Sequence, residues 1–138
     1  MRTRIAIGLA GVVLLLAAAS VRAHHAFASE FDVNKPLTLR GTLTKLEWIN
    51  PHSWFHVDVK DADGKVAEWM IEGGSPNAML RLGFNLYVVP VGTEIVIEGY
   101  QAKDGTNKAV GKNLTLTDGR RMFLGSSAPG SQPDPKQR

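Results

Sequence analysis

Apolar residues recur at every second position in a series of short runs, each closed by a turn signal, and this period of two is the pattern of half-buried strands. Leu37, Leu39, Gly41 and Leu43 set the alternation of the first run, Leu37–Ile49, which then shifts phase to Leu46 and Trp48. A phase shift inside one strand predicts a bulge near Thr44-Lys45, with Gly41 easing a bend. Asn50-Pro51-His52 breaks that strand. Ser53–Lys60 follows, with Phe55, Val57 and Val59 on one face and Trp54, His56 and Asp58 on the other.

The third run, Val66–Glu72, turns Ala67, Trp69 and Ile71 inward. Its apolar face meets that of the second run only if Val57 stands opposite Trp69. A three-residue loop, Ala62-Asp63-Gly64 with Gly64 in the left-handed region, gives that register. The same register sets His56 opposite Met70 and Trp54 opposite Glu72 on the outer face. Gly73-Gly74 then ends the strand, Ser75 caps, Pro76 suits the first helical position, and Asn77–Leu82 forms a short helix stopped by Gly83.

Beyond an apolar loop, Phe84–Gly92, the runs Glu94–Ala102 and Lys108–Thr117 form a second hairpin with Ile95, Ile97, Val110, Leu114 and Leu116 as its core. Asp118-Gly119 turns into a short Met122-Phe123-Leu124 segment. Gly125–Arg138 is a Ser/Pro/Gly/Gln tail whose polarity predicts disorder. Three strands, a helix, then two strands is the element order of an OB-like fold. The expected class is therefore all-β with one short helix: an OB-like five-stranded barrel with the helix between strands three and four, or alternatively an open β-sandwich.

The chain opens on a different pattern. Arg2 and Arg4 precede an unbroken small and apolar stretch, Ile5–Ala19, and Val21-Arg22-Ala23 supplies the small residues expected before a signal-peptidase cut. The apolar stretch falls short of the roughly 20 residues that span a bilayer as a helix, so a cleaved secretory leader is expected and no stable membrane anchor after cleavage. Cuts after Ala19 or Ala28 are alternatives. The division is then residues 1–23 as signal peptide, 24–35 as an N-terminal arm, 36–124 as the OB-like domain and 125–138 as the tail, in a periplasmic or secreted protein.

Cleavage takes Arg2, Arg4 and Arg22 with it and leaves as many Lys and Arg as the 13 Asp and Glu. A neutral domain offers no electrostatic case for nucleic acid, and the expectation is that none is bound. The absence of cysteine excludes disulfides, thiolate metal sites and cysteine nucleophiles. Glu30, Asp32, Glu47, Glu68 and Glu72 supply carboxylates, yet no pair stands at fixed spacing with a positioned nucleophile. No catalytic residue is assigned. Asp61, Asp63, Asp104 and Gly105 lack the twelve-residue calcium-loop pattern and read as hairpin turns.

All four histidines fall in two groups, His24/His25 and His52/His56. A cut after Ala23 would free the amine of His24, which with its own Nδ1 can chelate a metal and leave positions for imidazoles from elsewhere. His52 and His56 would lie roughly 13 Å apart in a straight strand and cannot chelate together from one. The candidate metal ligands are His24, His25, His52 and His56, for copper or another divalent ion. The bland alternatives are a solvated terminus, a loop histidine bonded to a carbonyl, and an exposed strand histidine beside Met70. Trp54, outward on the second strand, and Met70 are the candidate ligand-binding residues. Trp48 could join a ligand groove, whereas Trp69 by parity is core.

His24-His25-Ala26-Phe27-Ala28-Ser29-Glu30-Phe31-Asp32, then Leu39–Ile49 and Asn50-Pro51-His52, resemble the pattern of a family of small exported bacterial proteins of unknown function. Gly74-Ser75-Pro76-Asn77 and Glu98–Gly105 continue the match over nearly the whole mature domain. The resemblance implies an exported, periplasmic, single-domain β-barrel-like protein and assigns no activity. The leading expectation is a non-enzymatic periplasmic module binding copper or another divalent metal through the mature N-terminal histidine. Its main rival is an OB-like module that binds a protein, peptide or glycan partner through Trp54 without metal. An oxidative copper enzyme built on the same chelate is a weaker third. The sequence leaves the oligomeric state open.

Overall fold

The structure, a computed structural model, describes residues 27–134. Six strands form: β1 (Phe31–Glu47), β2 (Trp54–Lys60), β3 (Val66–Glu72), β4 (Glu94–Ala102), β5 (Lys108–Leu116) and β6 (Arg121–Phe123), with helix α1 (Pro76–Arg81) between β3 and β4. The sheet order is β3-β2-β1-β4-β5-β6, and a parallel pairing of β3 with β5 closes the first five strands into a ring. The fold is all-β with a short helix between β3 and β4 and is OB-like, as the element order predicts. No helix among the described residues is long and apolar enough to cross a membrane.

The local devices follow the sequence closely. β2 and β3 pair with Val57 opposite Trp69, His56 opposite Met70 and Trp54 opposite Glu72. Gly64 sits at φ +84° in the connecting turn, where Asp61 accepts from the Asp63 and Lys65 amides. The β1–β2 register slips between Leu43 and Lys45, and the Thr44 hydroxyl there donates to the His56 carbonyl at 3.1 Å. A Cβ at Gly41 would collide with the Asp58 carbonyl oxygen, so only glycine lets β1 and β2 approach there. Ser75 caps α1 by accepting from the Ala78 amide at 3.2 Å, and Gly83, at φ +84°, follows the helix.

The inward faces of the ring meet in one core of Leu43, Phe55, Val57, Ile71, Ile95, Ile97 and Leu114. α1 contributes Met79, and Phe84 inserts between Trp48, stacked at 6.1 Å, and Phe55, edge-on at 5.5 Å. Trp69 packs on this core only in part.

Two stretches differ from expectation. β1 already begins at Phe31, inside the segment assigned to the N-terminal arm, because Phe31 pairs with Ala102 of β4 and is buried. The first part of the tail expected to be disordered is packed: Ser126, Ala128 and Ser131 are buried. Its small residues need little volume, and its polar groups are satisfied locally. The Ser126 hydroxyl donates to the Gly111 carbonyl at 2.6 Å and accepts from the Ala128 amide, and the Gly125 amide donates to the Ser131 carbonyl. Ala128 closes a second, smaller cluster with Phe27, Phe31, Ala102 and Val110. Polarity counted over the whole tail hides this, since one alanine and a few mutually bonded serines suffice to seat it.

Candidate functional site

The register of β2 and β3 gathers the outward side chains of interest on one face. Trp54 and Glu72 stand opposite each other, and His56 and Met70 form the next pair. The parallel pairing of β3 with β5 sets Lys108 beside Met70, and the Lys108 ammonium reaches across to lie 4.9 Å from the centroid of the Trp54 ring. The same ammonium pairs with the carboxylate of Glu30, at the end of the helical residues 27–30. The loop from β1, whose Asn50–Pro51 peptide is cis, brings His52 to the edge of this face.

Glu72 lies at the centre, 4% exposed. Burial pushes its carboxyl up to about 7, the charge of Glu30 adds to the rise, and Lys108 opposes it. The Nδ1 of His52 stands 2.7 Å from Oε1 of Glu72, while the His52 side chain remains 42% exposed. A carboxylate behind Nδ1 orients the ring and leaves Nε2 as the donor nitrogen, the arrangement that supports an imidazole ligand of a metal.

His56 is placed differently. Its Nδ1 lies 3.2 Å from Oε1 of Glu68 and its Nε2 lies 3.2 Å from Oε1 of Glu47, and the side chain is 11% exposed. The bland expectation of an exposed strand histidine does not match this, because glutamates on both flanking strands fold over the ring. The two carboxylates approach opposite edges of the imidazole, so no single ion can meet all three groups. The structure therefore does not bring His52 and His56 to a common carboxylate; His52 faces Glu72, and His56 faces Glu47 and Glu68. Met70, beside His56, stays exposed. His24 and His25 lie outside the described residues. Among the described residues, no group of three or more His, Asp or Glu side chains is spaced to hold a metal ion.

Sequence reasoning left Glu72 and Glu30 without a role and did not single out Lys108. The Trp54–Glu72 register was a usable signal for Glu72. Lys108 required the β3–β5 contact, which no local pattern encodes.

Solved structures with a similar chain path include the mitochondrial single-stranded DNA-binding protein Rim1 from S. cerevisiae, 13% identical, covering 62% of this chain and 97% of that one at a TM-score of 0.47. The dimeric N-terminal domain of PriB from Thermoanaerobacter tencongensis is 19% identical, covering 61% of this chain and 97% of that one at a TM-score of 0.40. The expectation that excluded nucleic acid is corrected: single strands are held by local grooves and aromatic stacking, which overall neutrality does not preclude. No curated protein matches the sequence. Residues 12–112 match the model of a family of unknown function, DUF6152, and the chain belongs to that family.

Proposed function

We propose that this protein is an exported, non-enzymatic binding module that holds copper or another divalent metal ion between the mature N-terminal histidine and His52. The observation that carries the reading is the His52–Glu72 pair, in which a buried carboxylate backs Nδ1 at 2.7 Å while the His52 side chain stays partly exposed. Glu30, at the start of the described chain, acts electrostatically on that same Glu72. The terminal amine and Nδ1 of His24 supply two nitrogen donors and Nε2 of His52 a third, a set suited to Cu(II). His25 is available as a further donor. His56 has both ring nitrogens turned to carboxylates and serves in this reading as a cross-strand strut. Export rests on the leader pattern at Met1–Ala23.

The test is native intact mass of the protein exported by its own leader, with one equivalent of Cu(II), Zn(II) or Ni(II). A mass starting at His24 with one retained ion, lost in His52→Ala and after prefixing one residue to His24, is the expected result. A different start, or no retained ion, overturns the reading.

A second reading keeps the face and drops the metal: a protein, peptide or glycan partner docks on Trp54. The position of Trp54 on the outer face of β2, with a cation already on its ring, favours it. Trp54→Ala would then abolish ligand capture while His52→Ala leaves it intact.

A further inference from the structure

We infer that the connection between α1 and β4 docks this protein on an anionic lipid surface, through two turns whose tips are apolar. The inference is independent of the metal-binding reading and concerns residues which that reading does not use.

Turn tips ordinarily carry Gly, Asn, Asp or Ser, which face water and take up turn backbone angles readily. Asn85–Val88 is closed by the Val88 amide on the Asn85 carbonyl at 3.1 Å, and the Asn85 side chain accepts from the Tyr87 amide at 2.9 Å, yet its two central residues are Leu86 and Tyr87. Pro90–Thr93 is closed by the Thr93 amide on the Pro90 carbonyl at 3.1 Å, with Gly92 at φ +91° in the position that needs it, and its other central residue is Val91. Tyr87 is 90% exposed, Val91 62% and Leu86 43%. The stretch itself is fixed to the core: Phe84 and Val89 are buried, Val88 packs in part, and Gly92 and Thr93 are bonded to the backbone of Leu43. Both turns stand out from these anchors, and Tyr87 and Val91, four residues apart, are separated by at most about 14 Å.

Charge and shape decide what covers these tips. From Gly73 to Thr93 the chain has no acidic residue, and its only charge is Arg81. Arg81 is exposed in the last turn of α1, and none of the ion pairs among the described residues includes it. The Phe84 amide returns to the Met79 carbonyl at 3.0 Å, which folds the start of the connection back on the helix end that carries Arg81. An unpaired cation next to apolar tips, with no carboxylate in the stretch to repel phosphate, complements a layer of anionic headgroups. A tyrosine at the tip suits the same layer, because its ring enters the apolar boundary while its hydroxyl stays among the headgroups. A second copy of the chain fits less well. A stable dimer uses about 20–30 residues a side, whereas a soft lipid boundary accepts a few apolar protrusions without a matching cavity.

The experiment is co-sedimentation of the protein exported by its own leader with vesicles of phosphatidylcholine mixed with phosphatidylglycerol, and with vesicles of phosphatidylcholine alone. The mixed vesicles are expected to take up the protein and the neutral ones markedly less. Leu86→Ser combined with Tyr87→Ser should weaken uptake by roughly tenfold or more, because these side chains carry the apolar contact. Arg81→Gln should weaken uptake by the anionic vesicles about fivefold, the effect of one cation near a charged surface, and leave uptake by the neutral ones unchanged. Val66→Ser removes a similarly exposed apolar side chain at the start of β3 and should change nothing. All these positions are exposed, so the variants should keep the wild-type Tm, which thermal unfolding checks. No uptake of the wild-type protein, equal uptake by both kinds of vesicle, or the same loss in Val66→Ser as in the double variant would overturn the inference. So would a concentration-dependent dimer in solution that the double variant abolishes, since the tips would then pair with a second copy.

Discussion

Glu72→Gln should remove a pH dependence of stability that the fold builds in. The Glu72 carboxyl titrates at about 7 in the folded protein against an ordinary value of 4.5, chiefly because it is buried and secondarily because Glu30 is charged. Between those two pH values the folded state holds a proton that the unfolded state has released, so stability falls as pH rises through the window. Below 4.5 both states are protonated and above 7 both are ionised, so the contribution is flat outside it. At 1.36 kcal/mol per pH unit, the full penalty above pH 7 is on the order of 3 kcal/mol. For a domain of this size that corresponds to roughly 10 °C in Tm. Glutamine cannot ionise, so the variant should match wild type near pH 4 and exceed it by that amount near pH 8. The assay is thermal and urea unfolding of both proteins in chelator from pH 4 to 8.5, read as the difference between the two curves so that other titrations cancel. A difference that stays flat from pH 4.5 to 7, or a variant less stable than wild type at pH 8, would refute the reasoning. It would mean that His52 and Lys108 hold Glu72 ionised despite its burial.

Three other substitutions test the packing that presents the face. Gly41→Ala places a Cβ against the Asp58 carbonyl where β1 and β2 approach, and a loss of about 2–4 kcal/mol in urea unfolding is expected. Phe84→Ala removes the ring between Trp48 and Phe55, and should cost about 3–5 kcal/mol with a red shift of tryptophan emission. Ser126→Ala deletes the hydroxyl that links the C-terminal segment to the Gly111 carbonyl; about 1–3 kcal/mol and faster amide exchange at Ala128 and Ser131 are expected, whereas a disordered tail would show neither.

Local patterns carried most of the fold because each strand boundary is written in nearby residues. Alternation fixed which of Phe55, His56 and Val57 face inward, and the Gly64 turn then determined the whole β2–β3 register, including the pairs His56–Met70 and Trp54–Glu72. The bulge after Leu43 was readable as a break in period. What could not be read locally is the closure of the ring. The pairing of Ile71 with Ala109 joins residues far apart in sequence and in parallel sense, with no turn between them to set register. Lys108, Glu30 and the burial of Glu72 all depend on that closure, which is why the face was foreseen but its charged occupants were not.

The two described histidines show how little residue type alone decides. His52 and His56 are four residues apart, and both face glutamates. His56 lies mid-strand, flanked by β1 on one side and β3 on the other, so carboxylates from both neighbours reach it and both ring nitrogens are engaged. His52 lies before β2 begins, where β3 alone supplies a carboxylate to the ring, and one nitrogen remains for a ligand. The difference is positional. A histidine moved from the centre of a sheet face to its rim loses one flanking carboxylate and gains one donor nitrogen. Any ion on this face is therefore expected at the His52 rim, away from His56 and Met70.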